Sequence, residues 1–230
     1  MCGVFGFVSK TGAGPNPNIL QDIARATETR GRHAFGFAWI DTRGRLRMFK
    51  QTGRISNHLG VLQMAAKARM LIGHCRYATH GDPRNNLNNH PHPVDGGWFV
   101  HNGVIPDHRE ISAAYKFRPV SNCDSELLGL LIEEFDGPLV ERCIEAVEII
   151  GQVPLVMLAL WRSPQRLVAL RSGNPLHLGE NAEGFYLASL PQGLPERMYL
   201  LRDHTALSFF YRHGEARLVG YDATPEALTI

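Results

Sequence analysis

Leu155-Val156-Met157-Leu158-Ala159-Leu160-Trp161, a polar turn at Ser163 to Gln165, and Leu167-Val168-Ala169-Leu170-Arg171 read as two apolar strands joined by a hairpin. The pattern recurs at Phe35 to Ile40 and Leu46 to Phe49 around a turn at Asp41 to Gly44, and at Leu207 to Tyr211 and Ala216 to Val219 around His213-Gly214. Hairpins pair strands antiparallel. Val4 to Val8 reads as a further strand, and Ile19 to Thr29 as an amphipathic helix with Asn18 as N-cap. Helical patterns at Leu59 to Ala68, Ser125 to Glu134 and Leu139 to Ile149 fall between the hairpins without alternating strictly with strands. That order predicts an α+β fold, with helices on the faces of antiparallel sheets, and not a doubly wound parallel one.

The chain has 230 residues, 44% of them hydrophobic, which supplies a core without disulfides or metal and rules out intrinsic disorder. Turn clusters at Gly12 to Pro17, Pro83 to Pro93 and Pro191 to Pro195 are too brief to divide it, so residues 1–230 are expected to form one domain. A net charge of +2 gives no electrostatic reason to expect a nucleic-acid or membrane partner. Val153 to Trp161, the longest apolar run, is far short of the roughly 20 residues that span a bilayer, and no targeting segment opens the chain. A cytoplasmic protein is expected. Cys2, Cys75, Cys123 and Cys143 are widely spaced, which excludes a CxxC motif and favours reduced thiols.

No G-x-S-x-G elbow, Walker A sequence or HExxH is present. Arg43, Arg45 and Arg47 alternate, as expected for the solvated face of a strand, with Lys50 beyond them. Six residues, His74, Cys75, His80, His90, His92 and His101, crowd into a short stretch, yet only His90-Pro91-His92 is a tight pair, and its proline favours an extended geometry. Hydrogen bonding that shapes a loop is expected there, with no metal and no cofactor.

Cys2 is the candidate nucleophile. Removal of Met1 would leave a thiol and a free α-amine on one residue, with reference pKa values of about 8.5 and about 7.7–8.0. The amine can then accept the thiol proton near neutral pH. Gly3 allows close backbone approach. A small residue after the initiator methionine is the competing explanation.

Met1-Cys2-Gly3-Val4-Phe5-Gly6 resembles the opening of class II glutamine amidotransferase domains, the N-terminal-nucleophile glutaminases of glucosamine-6-phosphate synthase and amidophosphoribosyltransferase. Further segments are similar to that family's motifs in the same order: Gly73-His74-Cys75-Arg76-Tyr77-Ala78-Thr79-His80-Gly81, Asn89-His90-Pro91, Val100-His101-Asn102-Gly103-Val104-Ile105 and Asp124-Ser125-Glu126. Weaker echoes are Arg30-Gly31 to Gly36 and Arg171 to Leu176 with Gly179. The resemblance spans residues 1 to about 190 and implies a four-layer αββα sandwich.

It also implies a mechanism. The Cys2 thiolate would attack the carboxamide of L-glutamine, ammonia would leave, and water would resolve a γ-glutamyl thioester. Asn102 and Gly103 would form the oxyanion hole; Arg76, Thr79 and His80 would meet the α-carboxylate and Asp124 the α-ammonium. Each has a plainer explanation: Arg76 as a surface ion pair, Asp124 as a helix N-cap, Asn102-Gly103 as a type I′ turn. Cys75 and Cys123 depart from the family pattern, and both thiols are expected near the pocket. The family usually continues into a synthase domain, so a separate synthase partner is expected to take the ammonia. The alternatives are a stand-alone hydrolase of another γ-glutamyl amide and a catalytically silent glutamine-binding module.

Overall fold

A computed structural model describes residues 1–212 and 215–222. In chain order it comprises β1 (Gly3–Ser9), α1 (Pro17–Glu28), β2 (Ala34–Asp41), β3 (Leu46–Thr52), a 3-10 segment (Ile55–Ala65), β4 (Ala68–Arg76), β5 (His92–Val94), β6 (Gly97–Asn102), α2 (His108–Ala114), α3 (Glu126–Glu134) and α4 (Leu139–Ile150). Then follow β7 (Leu155–Trp161), β8 (Arg166–Ser172), β9 (His177–Glu180), β10 (Gly184–Ala188), β11 (Arg197–Leu200), β12 (Thr205–Arg212) and β13 (Glu215–Asp222). They form two antiparallel sheets, ordered β11-β9-β10-β1-β4-β2-β3 and β13-β12-β8-β7-β6-β5.

Side-chain alternation decides how the sheets stack. Successive residues of a strand point to opposite faces. Val4 and Val8 of β1 pack between the sheets with Val156, Leu158 and Leu160 of β7, while Phe5 and Phe7 face Leu20, Ile23 and Ala24 of α1. On the other side Met157, Ala159 and Trp161 meet Leu128, Leu131 and Ile132 of α3 and Val140, Cys143 and Ala146 of α4. Both central strands are buried on two faces, so they read as unbroken apolar runs. The result is four layers, αββα, as the family resemblance implied.

All three hairpins form, although the turn expected at His213-Gly214 lies outside the described residues. Three local expectations are corrected. Helix α1 starts earlier, because Pro17 suits the first helical turn and the Asn16 side chain, not Asn18, accepts from Asn18 N at 3.0 Å and Ile19 N at 3.4 Å. The helix expected over Leu59–Ala68 is a 3-10 segment broken at His58, and Ala68 already belongs to β4. Leu59, Leu62 and Ala65 are spaced by three, the repeat of a 3-10 helix. Arg43 and Arg45 sit in the β2–β3 turn and not on a strand; Arg45 Nε donates to Asp41 at 2.9 Å.

A buried polar link crosses the apolar space between the sheets. His74 Nε2 of β4 donates to the His101 carbonyl of β6 at 3.0 Å, and both residues are buried. Burial pulls the His74 imidazole pKa down to about 3, helped by Arg76 and His101; burial likewise lowers His101 to about 4, against the pull of Asp124.

Two consequences are measurable. Leu158→Ala removes a fully buried side chain between the sheets and should cost about 2–5 kcal/mol in denaturant unfolding; a loss below about 1 kcal/mol would mean that the sheets are not packed there. His74 and His101 bind fewer protons folded than unfolded, so their contribution is complete above the unfolded pKa of about 6.5 and is lost as pH falls toward about 4 and about 3. The denaturation midpoint should therefore drop between pH 7 and pH 4.5. A flat profile would contradict the buried neutral pair.

Candidate active site

Gly3 pairs with Cys75, so Cys2 lies beside the C-terminal end of β4. Its half-buried Sγ donates to the Tyr77 carbonyl at 3.3 Å and accepts from Tyr77 N at 3.3 Å, while Arg30 Nε donates to the Cys2 carbonyl at 2.7 Å. The chain closes tightly around this end. A Cβ on Gly3 would lie 2.6 Å from Thr27 Cγ2, and one on Gly31 would lie 2.4 Å from the Arg76 carbonyl carbon. Neither position accepts a side chain. His33 completes the clamp, donating its N–H to the Arg76 carbonyl and accepting from Ala78 N through Nδ1, each at 3.0 Å. Burial raises the Cys2 thiol pKa; the Tyr77 backbone bond, Arg76 and the N-terminal charge pull it down, and Asp124 pushes it up.

The other rim belongs to the second sheet. β6 ends at Asn102, whose carbonyl accepts from Asn174 Nδ2 at 3.0 Å. Asn174 Nδ2 also donates to the Pro154 carbonyl at 3.0 Å, so the Arg171 to Leu176 segment braces the strand end. The Asn102 side-chain amide is different. Its Nδ2 is buried and has no hydrogen-bond partner among the described residues. An unsatisfied buried donor costs about 1–3 kcal/mol, and such groups recur where a ligand is received. Gly103 has no positive φ, so Asn102-Gly103 is not a type I′ turn; a Cβ there would lie 2.6 Å from His101 Nε2.

Arg76 is buried, which removes the surface ion-pair explanation. Nη1 donates to Asn89 Oδ1 at 2.9 Å, and Nη2 to the carbonyls of His80 and, at 3.1 Å, Gly81. The guanidinium thus shapes the loop carrying Thr79, which is exposed, and His80. Asp124 does not cap α3: Oδ2 accepts from Ile105 N at 2.8 Å, and Oδ1 lies 3.6 Å from His80 Nδ1. A cavity of about 360 Å³ lined by Asp124, Cys123, His108, Arg109, Ser121 and Asn122 opens beside this carboxylate; neither Cys2 nor Arg76 forms its wall.

Expectations for the remaining histidines and thiols divide. His101 Nδ1 sits 2.8 Å from Ser125 Oγ, a hydrogen-bonding role as expected. Neither ring nitrogen of His90 has a partner among the described residues. The geometry expected of His90-Pro91-His92 does not separate the rings, whose centroids are 4.6 Å apart at 83°. Cys75 is buried in the core under α1, and burial holds its thiol well above the usual range. Cys123 is buried beside Asp124 and lines the cavity. Arg30, Gly31, His33, Asn89 and Asn174 are site residues that sequence reasoning did not single out for a role; the Arg30-Gly31 and Arg171 to Leu176 echoes were the available signals.

No family model matches the chain. It is 34% identical over 205 residues to the glutamine–fructose-6-phosphate aminotransferase [isomerizing] of Symbiobacterium thermophilum, covering 85% of this chain and 32% of that protein. The chain therefore spans about a third of the length of the curated relatives it matches. Among solved structures, the glutamine phosphoribosylpyrophosphate amidotransferase of B. subtilis superposes with a TM-score of 0.74 at 20% identity, covering 98% of this chain and 50% of that one. A glutamine aminotransferase class-II domain protein from Silicibacter pomeroyi superposes with a TM-score of 0.65 at 15% identity, covering 97% and 100% of the respective chains. Sequence similarity to the first and the fold shared with the other two agree with the ordered motifs, and the chain is similar to the class II glutamine amidotransferase domains.

Proposed function

We propose that this chain is an N-terminal-nucleophile glutaminase that releases ammonia from L-glutamine. The observation that carries the reading is the buried Asn102 Nδ2 at the end of β6, without a partner among the described residues, on the rim that the His74–His101 bond ties to the strand beside Cys2. A donor left unsatisfied by its own protein is suited to an oxygen whose negative charge develops during reaction.

The reaction then runs through this chain's own groups. Loss of Met1 frees the Cys2 amine, which takes the thiol proton. The thiolate attacks the carboxamide carbon, and the tetrahedral oxyanion is held by Asn102 Nδ2 and the Gly103 N–H. The amine returns the proton to the leaving nitrogen, ammonia departs, and water hydrolyses the thioester to glutamate. The α-carboxylate sits against Arg76 and the Thr79-His80 loop, and the α-ammonium against Asp124. Cys75 and Cys143 take no part. With four free thiols, the protein works in the cytoplasm, where they stay reduced.

Ammonia released to water is protonated and stops being a nucleophile, so the pocket must open toward an acceptor. A synthase-type partner docked over residues 73–81 and 102–105 meets that requirement. Tyr77 and Val104, exposed by 49% and 39% on those two loops, offer it apolar contact.

Glutamate release provides the kinetic test. Cys2→Ala should abolish turnover with the fold intact, and Asn102→Ala should lower kcat by roughly 100- to 1,000-fold with little change in KM. Arg76→Ala should mainly raise KM. Substantial activity in Cys2→Ala would reassign the nucleophile. Partner docking is checked by measuring turnover before and after stripping co-purifying chains from the native protein. Turnover should fall on stripping; a bare chain turning over about 10 glutamines per second would argue for a stand-alone hydrolase.

A further inference from the structure

Beside Asp124, three side chains that the proposed reaction does not use converge. His90 precedes β5, His92 opens it, and Cys123 stands in the loop before α3. Their ligating atoms all lie within 4.8 Å of one another, and exposure is 3%, 1% and 6%. His90 Nδ1 and Nε2 and His92 Nε2 are buried without hydrogen-bond partners among the described residues. Cys123 Sγ makes a long contact, 3.8 Å, to Asp124 Oδ1 and also lies within reach of Ser125. Buried imidazole nitrogens are ordinarily satisfied.

The backbone around these groups is held in place. Lys50 Nζ donates to the carbonyls of Asn89 at 2.8 Å and Pro91 at 3.1 Å, fixing the chain on both sides of His90 and keeping the ammonium on the backbone. Asn122 N donates to Asn88 Oδ1 at 2.8 Å, tying the cysteine's loop to the histidines' loop, and the Glu126 carboxylate accepts from Val120 N at 2.8 Å and Ser121 N at 2.7 Å. The 360 Å³ cavity reaches Cys123, which provides a way in from solvent.

We propose that His90, His92 and Cys123 bind a zinc(II) ion through two imidazole nitrogens and one thiolate, leaving the fourth position for a water entering from the cavity. Two imidazoles and a thiolate suit a borderline-soft cation that prefers tetrahedral geometry. Bond lengths of about 2.0–2.1 Å to nitrogen and about 2.3 Å to sulfur require the three atoms to close to about 3.5 Å, a side-chain adjustment of roughly 1 Å. Binding forms the Zn–S and Zn–N bonds, and the Cys123 thiol proton passes to solvent; no electron changes hands. A bound ion would hold the loop whose next residue is Asp124, and so steady the carboxylate without touching Cys2.

The test uses the chelator-stripped full chain titrated with cobalt(II), whose bond to a thiolate gives a near-ultraviolet charge-transfer band. One cobalt per chain, with tetrahedral visible bands and displacement by zinc(II), is the expected result. Cys123→Ser should lose the charge-transfer band at unchanged far-ultraviolet circular dichroism, His92→Gln should weaken binding, and Cys2→Ser should retain the band. A second reading needs no variant: zinc(II) should slow alkylation of Cys123 in the unaltered protein, followed by peptide mass. No charge-transfer band in the unaltered protein, a band that survives Cys123→Ser, or alkylation of Cys123 indifferent to zinc would overturn the site. None of these readings involves glutamine, so failure here leaves the glutaminase proposal untouched, and the reverse holds.

Discussion

The hydrogen bond from His74 Nε2 to the His101 carbonyl fixes the two halves of the site relative to each other, because it joins the sheet that Cys2 leads into and that carries Arg76 to the sheet whose strand β6 ends at Asn102. Apolar contacts among Val4, Val8, Val156 and Leu158 press the sheets together but are not directional. A buried directional bond selects one lateral position. It also sets a tautomer: with Nε2 as donor, His74 Nδ1 is left as an acceptor without a partner among the described residues. On the far side, His101 leans through Nδ1 on Ser125, next to Asp124, so the bond connects three rims of the site in one chain of contacts.

Most of the architecture was legible in the sequence because hairpins announce themselves locally. Leu155 to Trp161 and its partner strand are separated by a handful of residues, and the register falls out of the turn. The order of the sheets was not legible. β1 sits between β4 and β10, partners far away in the chain, and no local pattern encodes that choice. The 3-10 segment is hidden in the sequence for a related reason. Leu59, Leu62 and Ala65 also fit a helical repeat, and only packing under α1 separates the two.

Recognition of the site depended on ordered motifs, and its support depended on contacts that motifs do not state. Arg76 is expected to face a substrate carboxylate; the fold shows it organising residues 80 and 81 through their carbonyls, a supporting role that the motif does not state. Arg30 and Asn174 hold the carbonyls of Cys2 and Asn102, and nothing local marks either as part of the site. His90 and Cys123 are separated by more than thirty residues in the chain, and the loop tie at Asn88 and Asn122 is what brings them together. Tight local ligand pairs, the usual sequence signal of a metal site, are absent from such an arrangement.

The central claim is that Cys2 becomes the N-terminal residue and attacks the carboxamide carbon of glutamine. Its most direct test is the mass of the purified protein after reaction with an electrophilic glutamine analogue, followed by peptide mapping. A single adduct is expected, on Cys2, in a chain that has lost Met1. An adduct on Cys75 or Cys123, or full glutaminase activity from protein that keeps Met1, would contradict it.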